Sequence, residues 1–506
     1  MMLVTLGVCV AQTSAPAKSA ERLALQRGQE AVKSGDIAKA RAEFEKAVRL
    51  APKDGDAQWS LGWVLAQKGE LDAAVAHLKA ASNAKPGSAE VRLALASVLE
   101  RQNRLAEAQV ALQEAASLQP SLEPAHFQLG EVYFQEKQLA DAANELGRAS
   151  ELAPQDPAAH YYLAKTLTAQ SKNPEALDEL RKAAGLKADW FELQVDLGLA
   201  CQRAGDTDGA VTAFEAAVKL RPQDAQAINH LGLAFYQKGD AENAITNFKS
   251  AAKLRPEDGR IRGNLGLAYM ERADFDTAIT EFDAGIKLAP DDASLHYNLG
   301  LAYKLKDQLD KAVPEFQKAS ALQPDLADAH YTLGVLYWQK GEFDQSAEEL
   351  QTAIRIQPDY VEAHYTLGTV FKQQGKLPEA AAELREAIRL QPELAGAHTT
   401  LAAVLRQLGD APGAAEEAKA GARIAATSNN LQAATFATNS GKRLLSMGDL
   451  ESAIAQFRSA IQSEPSYAAA HFQLALALNQ KGEKDEAQKE FQRAAELDPH
   501  LRVPGK

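Results

Sequence analysis

The 506-residue sequence predicts an all-α fold, an α-solenoid of about fourteen 34-residue helix-turn-helix units. Three observations predict it. A Leu followed by Gly or Ala returns every 34 residues, from Leu61 through Leu231 to Leu401, eleven times without a slip. A small residue follows each Leu by thirteen positions, as at Ala74, Ala244 and Ser346, and in most units a Phe or Leu comes four later, as at Phe248 and Leu350. A Pro closes the unit at Pro222, Pro256, Pro290, Pro324 and Pro358. Self-similarity at a fixed period of this length marks a stacked-repeat architecture, in which no unit buries its apolar face alone.

Within a unit the apolar residues fall at spacings of three and four, which makes two short amphipathic helices, A and B. A Gly stands between them at Gly205, Gly239, Gly341 and Gly375, and the Pro stops helix B. Read in order, residues 1–20 precede the array. Its first unit carries Arg27 where the others have Leu, yet keeps Gly28, Gly35, Ala40, Phe44, Ala47 and Pro52; a polar side chain there suits a terminal unit. In the fifth unit Ala188 replaces the Pro beside Trp190 and Phe191, which predicts an altered B-to-A turn. After Leu401 the pattern weakens to Ala418, Gly421 and Ala426, and five residues, Asn429 to Ala433, enter before it resumes at Gly448, Ala453, Phe457, Ala460 and Pro465. The expected organisation is therefore 1–20, a tail or leader; 21–428, twelve units; 429–433, a joint; 434–501, two further units; and 502–506, a tail.

The positions of Leu-Gly, small residue, aromatic, small residue and Pro resemble the tetratricopeptide repeat (TPR) family over residues 21–501. That resemblance implies a right-handed superhelix whose A helices line a concave groove, and a scaffold that holds peptides or proteins there. The family often has a large aromatic where His126, His160, His296, His330, His364, His398 and His471 stand, so these rings are expected to pack. Successive equivalents lie about 10 Å apart, whereas ligands of one ion converge to about 2 Å. They cannot share a metal.

Positions 2, 5, 9, 12 and 13 of helix A share one face, and by the resemblance this face lines the groove. Position 5 carries Tyr297, Tyr331 and Tyr365; position 12 carries Lys304, Trp338, Lys372 and Arg406; position 6, at the expected edge, carries Asn298, Thr332, Thr366 and Thr400. Rings interleaved with cations suit an extended or acidic peptide, and these seven ring and cation residues form the candidate binding surface of units nine to twelve. The family's carboxylate-clamping combination of Lys and Asn is absent. The asparagine ladder of O-linked N-acetylglucosamine transferase superhelices survives only at Asn264, Asn298 and Asn439.

Composition narrows the functional classes. Lys plus Arg number 55 against 68 Asp plus Glu, a formal charge of −13, which disfavours nucleic acid as a partner. Cys9 and Cys201 match no metal or redox spacing. Met1 to Ala11 is an apolar run of export-leader length without a basic start, so the protein is expected in the periplasm or envelope if that leader is real and in the cytoplasm otherwise. No stretch reaches transmembrane length. Ser250-Ala251-Ala252-Lys253 and Ser440-Gly441-Lys442 spell a serine nucleophile and a phosphate loop only by coincidence, since one lies on a repeat helix and the other follows no strand. No segment is left for a catalytic domain. The expected function is a non-enzymatic scaffold for protein or peptide partners, with no cofactor. Alternatives are an accessory arm of an enzyme such as a glycosyltransferase, or a self-assembling envelope protein that pairs through the ends of the array.

Overall fold

The computed structural model describes residues 16–501, and all the regular structure within them is helical. The segment read as an export leader lies outside the described residues up to residue 15, as does the tail 502–506. The first helix, Pro16–Lys33, begins five residues before the expected array and takes in the end of that segment. Two compact parts divide the chain, Met1–Arg272 and Ala273–Lys506. Fifteen described helices, ending with Gly259–Glu271, belong to the first and twelve, beginning with Phe275–Leu288, to the second. Each part is a run of antiparallel hairpins, and the α-solenoid class holds.

Local chemistry sets each hairpin. Helix A runs thirteen residues in most repeats, as in Ala225–Gln237, and helix B fourteen, as in Ala241–Leu254. Aspartates cap many of them: Asp224 accepts from the Ala227 amide and Asp240 from that of Asn243, each satisfying a donor that the first turn leaves free. The A-to-B turn always places its fifteenth repeat position in the left-handed region. Nine of these are Gly, with φ from 74° to 95°, and the others are Asn103, Lys137, Ser171, Ala273 and Asp307, with φ from 57° to 61°. Sequence reading found the glycines but not these five.

The Gly of each Leu-Gly pair permits the closest approach in the hairpin. A Cβ built on Gly232 would sit 2.6 Å from the Phe248 ring, and one on Gly368 would sit 2.7 Å from Leu384. Phe214, Phe248 and Phe316 are fully buried as a result. Neighbouring repeats are joined by a second set of contacts: helix B position 28 packs on helix A position 3 of the next repeat, as Ala252 does on Ile261 and Ile461 on Ala470. Exposed ion pairs link helix A position 14 to position 18 of the repeat before, as in Lys238–Asp208 and Lys481–Glu451; solvent screens them, so they add little to stability.

Two expectations are corrected. The turn around Ala188 keeps the common four-residue form between Asn173–Leu186 and Phe191–Arg203, because the Pro's role there is met by its carbonyl: Ala188 still accepts from the Gln194 amide at 3.0 Å. The five residues 429–433 form no loop. They lie inside one 36-residue helix, Ala411–Ser446, which fuses helix B of the twelfth repeat to helix A of the thirteenth, and the division between compact parts falls elsewhere. No Pro or Gly interrupts Ala422 to Ser440, so nothing stops the helix.

Ala312 is fully buried in a cluster with Phe316, Leu333, Leu336 and Tyr337. Ala312→Leu should lower stability by about 1–3 kcal/mol through overpacking, read as a fall in the urea midpoint; an unchanged midpoint would place this residue outside the helix crossing. Lys137→Gly should raise stability by about 0.5–1 kcal/mol, the left-handed strain relieved less the entropy that Gly adds to the unfolded chain. A lower midpoint in the same titration would refute it.

Candidate functional site

Within the second compact part, helices A of repeats nine to twelve are Ala293–Leu305, Ala327–Gln339, Val361–Gln373 and Ala395–Gln407. Tyr331, Trp338 and Tyr365 pack half-buried on one apolar cluster that includes Leu367 and Phe371. Tyr297 belongs to the neighbouring cluster, edge-on to Phe316 with centroids 5.4 Å apart. These rings are also tied to the next repeat. The hydroxyls of Tyr297 and Tyr331 share hydrogen bonds with Thr332 and Thr366, while burial pushes both hydroxyls above the usual tyrosine range. Thr332 and Thr366 are therefore buried between A helices, and the expectation that they rim the groove is corrected.

The cations differ from the rings. Lys304 and Lys372 are half-buried and Arg406 is exposed, and among the described residues none of the three takes part in an ion pair or a ring contact. Tyr360, which sequence reading passed over, meets Tyr331 at a tilt with ring centroids 4.9 Å apart and donates to Asp328 at 2.8 Å. Its position at the end of a turn, outside the helical period, gave no signal.

The histidines do more than pack. His364 meets Glu383 through Nδ1 at 2.6 Å and the Pro358 carbonyl oxygen through Nε2 at 3.1 Å. His126, His160, His296, His330, His398 and His471 repeat both contacts. A carboxylate and a carbonyl both accept, so a ring serving both donates from both nitrogens or shares the carboxyl's proton. In the second repeat Gln58 replaces the ring, its amide donating to the Pro52 carbonyl and its oxygen facing His77 Nδ1, each at 2.6 Å. The position is a polar clamp holding the preceding turn to helix B of its own repeat. Each histidine is engaged separately.

The first compact part holds a polar cluster that sequence reading missed, on the corresponding face. Lys165 Nζ lies 5.5 Å from the ring centroids of both Tyr161 and Tyr162 and 6.0 Å from that of Phe134. Tyr161 donates to Asp196 at 2.8 Å, and Tyr162 donates to Glu131. A cavity of about 270 Å³ beside them is lined by Lys165, Leu199 and Arg203. Burial pushes the Glu100 carboxyl up to about 7, with Glu131 adding to the shift, and Glu100 Oε1 is buried without a partner. The Tyr161-Tyr162 doublet four residues before Lys165 was the available signal.

This stack of hairpins, with Gly against Phe or Leu inside most of them and a turn carbonyl clamped by His or Gln at many joints, defines a helical-repeat interaction scaffold. Models of the tetratricopeptide repeat match residues 25–89, 195–259 and 438–501, and also 65–129 and 99–166. A TPR repeat model matches 266–307, 303–341, 337–375 and 368–409. The chain belongs to the tetratricopeptide repeat family. No curated protein matches it. Among solved structures it is similar to the MamA protein, at 28% identity over 33% of this chain and 92% of that one, TM-score 0.31. It is also similar to a chain of the APC/C hetero-tetramer Cut9–Hcn1, at 15% identity over 90% and 96%, TM-score 0.33, and to one of Naa15/Naa10 bound to HypK-THB, at 13% over 95% and 94%, TM-score 0.34. Among the described residues no helix is long and apolar enough to cross a membrane.

A raised carboxyl favours the fold while protonated. The contribution of Glu100 is therefore complete below the free carboxyl's value of 4.5 and is lost as pH rises through about 7. Glu100→Gln, which cannot ionise, should melt above the parent at pH 8 and lose that advantage near pH 4.5. Thermal melts across this range that run parallel would remove the burial argument.

Proposed function

We propose that the protein binds an extended, acidic peptide segment of a partner along the A-helix face of repeats nine to twelve, without catalysis. The observation that carries this reading is the contrast between cations. Elsewhere on the surface many Lys and Arg are held in ion pairs between repeats, such as Arg181–Asp206 and Arg458–Glu486. Lys304, Lys372 and Arg406 recur at one repeat position, unpaired among the described residues, beside the half-buried rings of Tyr297, Tyr331, Trp338 and Tyr365. Rings already fixed by packing lose little freedom on binding, so contact on them is favourable, while a cation not yet neutralised is left for a ligand carboxylate. The acidic remainder of the chain steers such a ligand away from other faces.

Affinity capture from the native host with the parent chain as bait, followed by mass spectrometry, should return a partner carrying an acidic segment. The double variant Trp338→Ala, Lys372→Ala should then retain it at least ten-fold less, with unchanged circular dichroism. Capture should also weaken as salt is raised, because exposed ion pairs are screened. Undiminished retention by the double variant would move the binding surface off these repeats.

A further inference from the structure

The long helix Ala411–Ser446 leaves two matching faces of one repeated interface uncovered. Position 3 of helix A is buried in every repeat from the second to the twelfth and in the fourteenth, whether it holds Leu193, Ile261 or Leu295. In the thirteenth it holds Phe436, which is 77% exposed. Position 28 of helix B, its usual partner, is at least half-covered in every other repeat, but in the twelfth it is Ala422 and exposed. At several joints one position is large and the other small: Ile354 faces Ala363 and Ile388 faces Ala397, whereas Ala184 faces Leu193. Ala422 and Phe436 fit that exchange, a small residue and a large one, and neither has its partner.

They cannot meet within one chain. In ordinary joints the pair is nine residues apart across a turn, as with Ile388 and Ala397. Here fourteen residues of continuous helix hold them about 21 Å apart. The exposed residues continue in both directions at helical spacing: Ala411, Ala415 and Ala422 before Asn429, and Phe436, Arg443 and Met447 after it, Met447 being 73% exposed. This stripe is symmetric about Asn429, so that each alanine of one half is as far from it as one larger residue of the other: Ala411 with Met447, Ala415 with Arg443, Ala422 with Phe436.

We propose that a second copy of this chain covers this face. The two long helices lie antiparallel, as helices B and A do at every other joint, with a two-fold axis beside Asn429. Phe436 of each copy then packs on Ala422 of the other. The five residues 429–433 give the straight connection through which repeats thirteen and fourteen exchange partners between copies. An isologous contact of this kind closes at two chains and satisfies both faces with one interface. Alanines opposite large side chains let the helices approach closely, and the spacings of four and seven keep these residues on one seam between paired helices.

The full chain should show twice its single-chain mass by light scattering after size exclusion at about 50 μM. Phe436→Glu and Ala422→Glu should each restore the single-chain mass with an unchanged circular dichroism spectrum, because both side chains are exposed in one copy. In a Cys9→Ser background, with Cys201 buried, a chain carrying only Ala422→Cys should form a disulfide with one carrying only Phe436→Cys, and this holds even if a glutamate variant folds poorly. A single-chain mass for the parent would overturn the proposal. So would a dimer that survives both glutamates in folded protein. An internal disulfide in a chain carrying both cysteines, at single-chain mass, would mean that the helix breaks and closes on itself, and would overturn it equally.

Discussion

A 34-residue hairpin can bury the faces its two helices turn to each other, but not the face each turns outward. That limit governs the whole chain. Helices of thirteen or fourteen residues are marginal alone, so each needs the neighbouring hairpin, and the contact between position 28 and the next position 3 is the one on which stacking depends. Where Ile meets Ala the joint is filled from one side, and where Ala meets Leu it is filled from the other. Stability then accrues joint by joint, and a residue that spoils one joint exposes two surfaces.

Polar groups are organised around the same joints. The turn that ends helix B leaves a carbonyl free, and a position-4 His or Gln reaches back six residues to it while its other end meets helix B of its own repeat. Such a clamp fixes where one hairpin enters the next without depending on side-chain volume. It also accounts for the recurrence of histidine at a position where packing alone would accept a larger ring. On the A-helix face of repeats nine to twelve the tyrosines Tyr297 and Tyr331 are held by threonines of the following repeat, while Lys304, Lys372 and Arg406 take part in no ion pair among the described residues.

The repeat class, the helix spans and the buried Phe and Leu positions were legible in the sequence because they follow from local periodicity. A three- and four-residue spacing defines a helical face whichever neighbour covers it, and Gly opposite Phe requires close approach. The candidate rings and cations were legible for the same reason. The left-handed turn residues without Gly, such as Lys137 and Ala273, were not, because the surrounding turn imposes a conformation that their own preferences oppose. Nor was the cluster of Glu100, Glu131, Tyr162 and Lys165, whose members come from separate repeats and share no spacing.

The sequence by itself determined that this chain is a stack of tetratricopeptide hairpins with one five-residue departure from its period, since a period is a property of order along the chain. Only the tertiary structure decided what that departure does. Asn429 to Ala433 carry no helix breaker, so the helix entering them continues and carries the next repeat away from the face it would otherwise cover. Whether an alanine or a phenylalanine is buried depends on what lies across from it. Ala422 and Phe436 are ordinary residues for their positions, and they are exposed because the straight helix between them keeps each out of the other's reach.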